Sequence, residues 1–175
     1  MKRQTPLLQL EIGVSLRLDL RAAVAFAKSP QAFEVRELAR GDLGRVLGVS
    51  PALARPAERV DVVAPNGWRC FAAFDGAMPI HVSFVELRPN RPLLFGAVSE
   101  PAARMRGAFR ATIQYIAARL HDAGETSLYS SVAWNNRASL LAHAAVGFQI
   151  VRRRVDVRVL GMSVRGVAGR LLRRR

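Results

Sequence analysis

Two stretches of this chain of 175 residues place chemically capable side chains at the start of a helix-like run. The first is AVSEPAARMRGAFRATI, Ala97 to Ile113, in which Pro101 and Gly107 bracket a turn and Arg104, Arg106 and Arg110 surround a predicted helix start. The first four N–H groups of a helix lack partners within it, and the helix dipole adds positive potential there, so the turn suits a pyrophosphate or another anion. The second is NNRASLLAHAAVGFQ, Asn135 to Gln149. It opens on two asparagines, which are strong N-caps, and closes on Gly147-Phe148, glycine being the usual residue just past a helix C-terminus. The asparagines either cap a helix and do nothing more, or they also contact a ligand.

The elements that must position these stretches are read from periodicity. FEVRELARGDLGRVLGV passes from alternation at Phe33 and Val35 to helical spacing at Leu38, Leu43, Val46 and Leu47, predicting a strand and then a helix. Pro51, Pro56 and Pro65 punctuate a short helix or irregular excursion that ends in a Pro-Asn-Gly turn. WRCFAAFDGAMPIHVSFVEL predicts two strands hinged at Asp75-Gly76, and LLFGAVS a third strand after the RPNRP turn. Met105, Phe109, Ile113, Ile116 and Leu120 form a helical stripe over 102–123, with Gly124 as its stop. SLYSSVAW alternates as a strand, the Asn135 stretch follows as a helix, and FQIVRRRVDVRVL closes as a strand. This order predicts an α/β (α+β) domain with a mixed central sheet flanked by helices.

Length suits one domain, and we expect an N-terminal extension over 1–32, the domain itself over 33–160 and a basic C-terminal tail over 161–175. Glu11, Arg17, Asp19 and Arg21 interrupt any stretch that could act as a signal-peptide core, and no apolar run approaches a membrane span. The single cysteine, Cys70, excludes a disulfide framework and reads as a small buried hydrophobe. These features predict a cytoplasmic protein without a metal centre. The formal charge is +14, and all but two of its 27 basic residues are arginines. From Val151 to Arg175 nine arginines face one acidic residue, so the end of the chain is either a solvated basic tail or a surface for an anionic partner, which would place the protein peripherally at a membrane. Its last stretch, if helical, puts Val164, Val167, Leu171 and Leu172 on one face, but Gly161, Gly166 and Gly169 oppose a stable helix.

Pro101-x-x-Arg104-x-x-Gly107, after a strand and opening a long helix, resembles the acyl-CoA-binding signature of the Gcn5-related N-acetyltransferase family. Asn136-x-x-Ser139 followed by Gly147-Phe148 resembles the family's next signature, at a distance that holds one helix and one strand. The resemblance covers about 33–160 and implies a mostly antiparallel sheet whose third meander strand splays from its neighbour. It implies that the exposed backbone of Ala97, Val98 and Ser99 pairs with the pantetheine arm of acetyl-CoA. It further implies that the N–H groups from Arg104 through Met105, Arg106, Gly107 and Ala108 to Phe109 hold the pyrophosphate, and that Asn136, with Ser139, meets the pantetheine or positions the helix beside it. The chain departs from the pattern at Phe109, where a second glycine is usual, and at Met105, where a small residue is common. A side chain in place of glycine reduces close backbone approach to phosphate.

Acyl transfer to an amine needs a base for the ammonium and an acid for the leaving thiolate. Many members of the family place a tyrosine seven residues after the asparagine as the acid, and here that position is His143. Glu86 and Glu100 are the candidate bases, and Trp68, His81 and Trp134 the candidate walls of an acceptor pocket. The resemblance implies an acyl-CoA-dependent N-acetyltransferase acting on a small-molecule or peptide amine, as a monomer or homodimer. The rival readings are a non-catalytic acyl-CoA-binding domain, which the Phe109 departure and the missing tyrosine favour, and a nucleic-acid module, which no aromatic-interleaved basic motif supports.

Overall fold

A computed structural model of the chain describes residues 8–26, 33–57, 64, 67–159 and 162–165. Its elements run β1 (Leu8–Asp19), α1 (Leu20–Phe26), β2 (Glu34–Leu38), a 3-10 turn (Arg40–Asp42), α2 (Leu43–Leu47), α3 (Pro51–Ala57), β3 (Trp68–Asp75), β4 (Met78–Glu86) and β5 (Leu93–Ser99). A second 3-10 turn (Pro101–Ala103) leads to α4 (Ala108–Asp122), β6 (Ser127–Ala133), α5 (Arg137–Ala145), β7 (Gln149–Val159) and β8 (Met162–Arg165). Among the described residues no helix is long and apolar enough to cross a membrane.

Eight strands form one sheet in the order β2-β3-β4-β5-β6-β1-β7-β8. The alternating strands on either side of Asp75-Gly76 pair as a hairpin, with Gly76 at φ 59°, as the Asp-Gly signal predicts. Every pairing is antiparallel except β5 with β6. That one parallel contact is brief, joining only Leu93 to Tyr129 and Leu94 to Ser130. Beyond Leu94 the two strands part. The bulge that turns β5 away lies opposite Val82 and Phe84, and Gly96 sits in it at φ 58°. A Cβ at Gly96 would lie 2.9 Å from Pro56 Cβ and 3.1 Å from Phe84, so both the backbone conformation and the close approach of α3 require glycine there.

The sheet carries helices on both faces. α4 forms because its apolar side chains recur at helical spacing, burying Ala108, Ala111, Ile113, Ile116, Ala117 and Leu120, and it stops where Gly124 takes φ 86°. Ile113, Ile116 and Leu120 join Phe71, Val85, Leu94, Leu128 and the inward row Val14, Leu16 and Leu18 of β1 in one core. Fully burying each large side chain of this kind is worth roughly 1.5–3 kcal/mol. On the opposite face α2 and α3 cover Cys70, Ala72, Phe74, Val82 and Phe84 with Val46, Leu47 and Leu53.

One expectation about the ends of the chain changes. The segment 1–32, read as an extension, contains β1, which is inserted between β6 and β7 and pairs along its length with both. The domain therefore begins well before Phe33. Near the other end, Met162–Arg165 pairs antiparallel with β7 as the edge strand of the sheet, in the stretch whose glycines oppose a stable helix. The rest of the predicted tail, 161 and 166–175, lies outside the described residues.

Candidate functional site

The parting of β5 and β6 opens a groove of about 300 Å³ lined by Ala97, Val98, Ser99, Arg104, Phe109, Asn136, Ser139 and His143, together with His81. A cleft of about 200 Å³ shares Ala97, Asn136, Ser139 and His143 and continues to the fork, where Gly96, Ser130 and Val132 join its walls. Both stretches singled out in the sequence thus reach one site.

The anion-suited turn is built by two left-handed residues. Met105 has φ 64° and Gly107 φ 91°, and Gly107 is the N-cap of α4 without a side-chain cap. A Cβ at Gly107 would meet nothing within 4 Å, so glycine is there for its backbone and not for space. The N–H groups of the first helical turn, from Ala108 onward, have no carbonyl one turn back to bind. Of the arginines, Arg104 faces the groove. Arg106 is turned to the β3–β4 hairpin, where it donates to Asp75 at 2.7 Å and lies over the Phe33 ring. Arg110 donates to the Ala145 carbonyl at 3.4 Å, tying α4 to the end of α5. Met105 is fully exposed and stands outside the groove.

Asn136 does cap α5, its Oδ1 accepting from the Ser139 N–H at 3.1 Å, and it also lines the groove. At the other end Gly147, with φ 98°, lets the chain turn back, and the Phe148 N–H donates to the His143 carbonyl while the Phe148 ring enters the core. His143 is buried between these ends. Its Nδ1 lies 2.7 Å from the Ser139 carbonyl, and its Nε2 lies 3.0 Å from Ser130 Oγ. A carbonyl only accepts, so Nδ1 carries the ring proton and Nε2 accepts from the Ser130 hydroxyl. Burial holds the imidazole below its ordinary pKa, against the raising effect of the Ser139 carbonyl. His143 is therefore neutral at pH 7, with a lone pair directed at Ser130. In this state it is a base; the acid role expected of it requires that it first take a proton.

Phe109 packs its ring between two histidines, 5.0 Å from His143 and 5.8 Å from His81. The departure from glycine thus puts an aromatic ring in the groove itself. His81 is buried on β4, with Nδ1 2.7 Å from Ser99 Oγ and Nε2 2.8 Å from Ser83 Oγ, and burial pushes its pKa down to about 3.

Other expected residues lie elsewhere. Glu86 is at the far end of β4, five residues from His81 and so roughly 17 Å along the strand; it is buried, with Arg88 beside its carboxylate. It is not in the groove. Its position on an apolar strand gave no sign of the end at which it would fall. Glu100 directly follows Ser99, and its Oε1 is buried without a hydrogen-bond partner among the described residues. Trp68 packs edge-on to Phe84 with Arg40 over its ring, and Trp134 lies under Arg153; neither lines the groove. Cys70 is fully buried, and burial pushes its thiol up to about 12, which removes it as a nucleophile. The residue that sequence reading missed is Ser130, whose only signal was a polar residue at an inward position of a strand. Among the described residues no group of three or more His, Cys, Asp or Glu is placed to hold a metal ion.

No protein-family model matches the sequence, and no curated protein matches it either. Solved structures do match in shape. A functionally unknown protein from Staphylococcus epidermidis aligns with a TM-score of 0.66 at 10% identity, over 86% of this chain and 62% of its own. A GCN5-related N-acetyltransferase-like protein from Streptococcus suis aligns at 0.62 and 10% identity, over 87% and 63%. AAC(6')-Iy, in complex with the bisubstrate analog CoA-S-monomethyl-acetylneamine, aligns at 0.54 and 17% identity, over 70% of this chain and 94% of its own. The chain spans less than two thirds of the first two. With the parted strands, the helix start beside them and these likenesses together, the chain has the fold of the Gcn5-related N-acetyltransferases.

Proposed function

We propose that this chain is an acyl-CoA-dependent N-acyltransferase that moves the acetyl group of acetyl-CoA to a primary amine by direct attack within a ternary complex. The observation that carries the reading is the convergence of Ala97–Ser99, Arg104 and Asn136 on one groove at the parting of β5 and β6. A pantetheine arm laid along β5 replaces the missing β6 partner, and the first turn of α4 meets the pyrophosphate with unpaired N–H groups beside Arg104. The fit is good where it is most demanding, since an extended strand edge needs a hydrogen-bonding guest.

In the reaction the amine attacks the thioester carbonyl, and the nitrogen of the resulting adduct must lose a proton. Neutral His143 takes that proton on Nε2, directly or through the Ser130 hydroxyl, and then returns it to the departing thiolate. One imidazole thus serves as base and then as acid, and ends as it began. The acceptor is a small-molecule or peptide amine, and no nucleic acid takes part. We place this activity in the cytoplasm, in a monomer or homodimer, with the C-terminal arginines as the contact for an anionic surface.

Calorimetry with acetyl-CoA tests the reading. Gly107→Asp sets a carboxylate and a strained φ into the turn, and we expect binding weaker by at least about tenfold with an unchanged circular dichroism spectrum. Equal affinity in a folded variant would remove the turn from the site. Phe109, by filling part of the groove, favours a second reading in which the chain binds acyl-CoA without turnover. Tight binding with no acetylation across an amine panel would establish that one.

A further inference from the structure

Ser130 ends the pairing of β5 with β6: Leu94 and Ser130 are the last partners before the strands part. A guest lying between the parted strands has its inner end at this fork, where Ser130 and His143 line one cleft with Gly96 and Ala97, residues of β5 that have no β6 partner. Three groups there stand in line. Ser130 Oγ is 3.0 Å from His143 Nε2, and His143 Nδ1 is 2.7 Å from the Ser139 carbonyl, which holds the ring by its proton. This is the arrangement of an activated nucleophile: a hydroxyl, a base within hydrogen-bond reach, and a third group that orients the base.

We propose that Ser130 is a nucleophile and that the chain has a second activity, the hydrolysis of acyl-CoA thioesters through an acyl-Ser130 ester when the acceptor site is empty. The inference rests on acetyl-CoA occupying the groove as proposed above. Ser130 Oγ bonds to the thioester carbonyl carbon while its proton passes to His143 Nε2. The C–S bond then breaks, its electron pair leaving with sulfur, and His143 returns the proton to the thiolate to release free CoA thiol. In the second half a water attacks the ester and gives a proton to His143. The bond from the acyl carbon to Ser130 Oγ breaks, Oγ recovers that proton, and acetic acid leaves. Beyond Leu94 the backbone of β5 has no β6 partner, so its N–H groups on the cleft side are the donors for the oxyanion of both steps. Cys70, the more usual acyl acceptor, is buried on the opposite face and takes no part.

The test incubates the full chain with acetyl-CoA and no amine, following free thiol with a thiol-reactive chromophore and acetylation by intact-protein mass. Wild type is expected to release thiol steadily above the uncatalysed rate, and Ser130→Ala to release it about a hundredfold more slowly while binding acetyl-CoA as wild type does in calorimetry. Ser130→Cys keeps a nucleophile but makes a thioester. It is expected to gain the mass of one acetyl group, mapped to position 130 by peptide fragmentation and removed by hydroxylamine. Normal binding without thiol release, release by Ser130→Ala at the wild-type rate, or an acetyl group mapped elsewhere would each overturn the inference and leave the transferase reading standing. Failure of wild type to bind acetyl-CoA would overturn both.

Discussion

His81 and His143 border the same groove, both are buried, and one phenyl ring separates them, yet they are held in opposite ways. His81 sits on a strand between two serine hydroxyls, each able to donate or to accept, so either tautomer is satisfied and both nitrogens are occupied. His143 sits on a helix with one nitrogen against a carbonyl that only accepts, so its proton is fixed on Nδ1 and its lone pair points at Ser130. Burial lowers the pKa of both. A buried histidine becomes useful when its partners differ in kind: symmetric hydroxyls make a structural post of His81, whereas the carbonyl makes a directed base of His143.

The contrast is broken most severely at His143. His143→Ala should lower acetyl transfer on the order of a hundredfold with little change in acetyl-CoA affinity, and His143→Tyr should recover part of the loss. In the proposed transfer the neutral ring is the working form, and its pKa lies below the ordinary 6.5, so the loss of wild-type kcat that comes from protonating His143 should fall on the acid side of that pH. Full turnover in His143→Ala would reduce this side chain to packing.

At His81 the expected effect is on stability. Its pKa is about 3 when folded and near 6.5 when unfolded, so between these values the unfolded chain binds the extra proton. The neutral ring's contribution is complete above pH 6.5 and is lost as pH falls toward 3. Denaturant unfolding at pH 7 and pH 5 should show wild type losing about 2 kcal/mol more than His81→Gln over that interval. Equal losses in the two proteins would mean that His81 is solvated or charged in the fold.

The smallest effect is expected at the ring between them. Phe109→Leu keeps apolar volume but removes two aromatic contacts, and should cost about 1 kcal/mol of stability. In an NMR titration it should move the His143 ring signals more than those of His81, whose centroid is farther away. A larger response at His81 would mean that His81 is the more loosely held of the two.

Much of this site was legible because its parts are local. The Gly107 turn and the Asn136 cap are each specified within a few residues, and the helical stripe of α4 places one of them at the mouth of the groove. What could not be read depends on partners distant in the chain. β1 alternates cleanly from Leu8 to Leu18, but nothing in that stretch says that it will lie between strands more than a hundred residues away. Likewise the Ser130 hydroxyl gains its meaning only from the tautomer of His143, which a carbonyl on another turn of α5 decides. Glu86 shows the converse: its residue type suits the chemistry, but the register of β4 carries it to the wrong end.

The placement of β1 also sets a schedule. Its neighbours are Gly13 to Ala133 on one side and Leu8 to Val159 on the other, so it leaves the ribosome long before either partner has been made. At cellular elongation rates the wait is on the order of 10 s, during which an alternating apolar strand has both edges open. An early strand is thus secured only after segments more than a hundred residues further on have been made. Because β6 is the wall of the groove and β1 its backing, the groove matures only once β6 and β7 have been made, and β1 needs shelter until then.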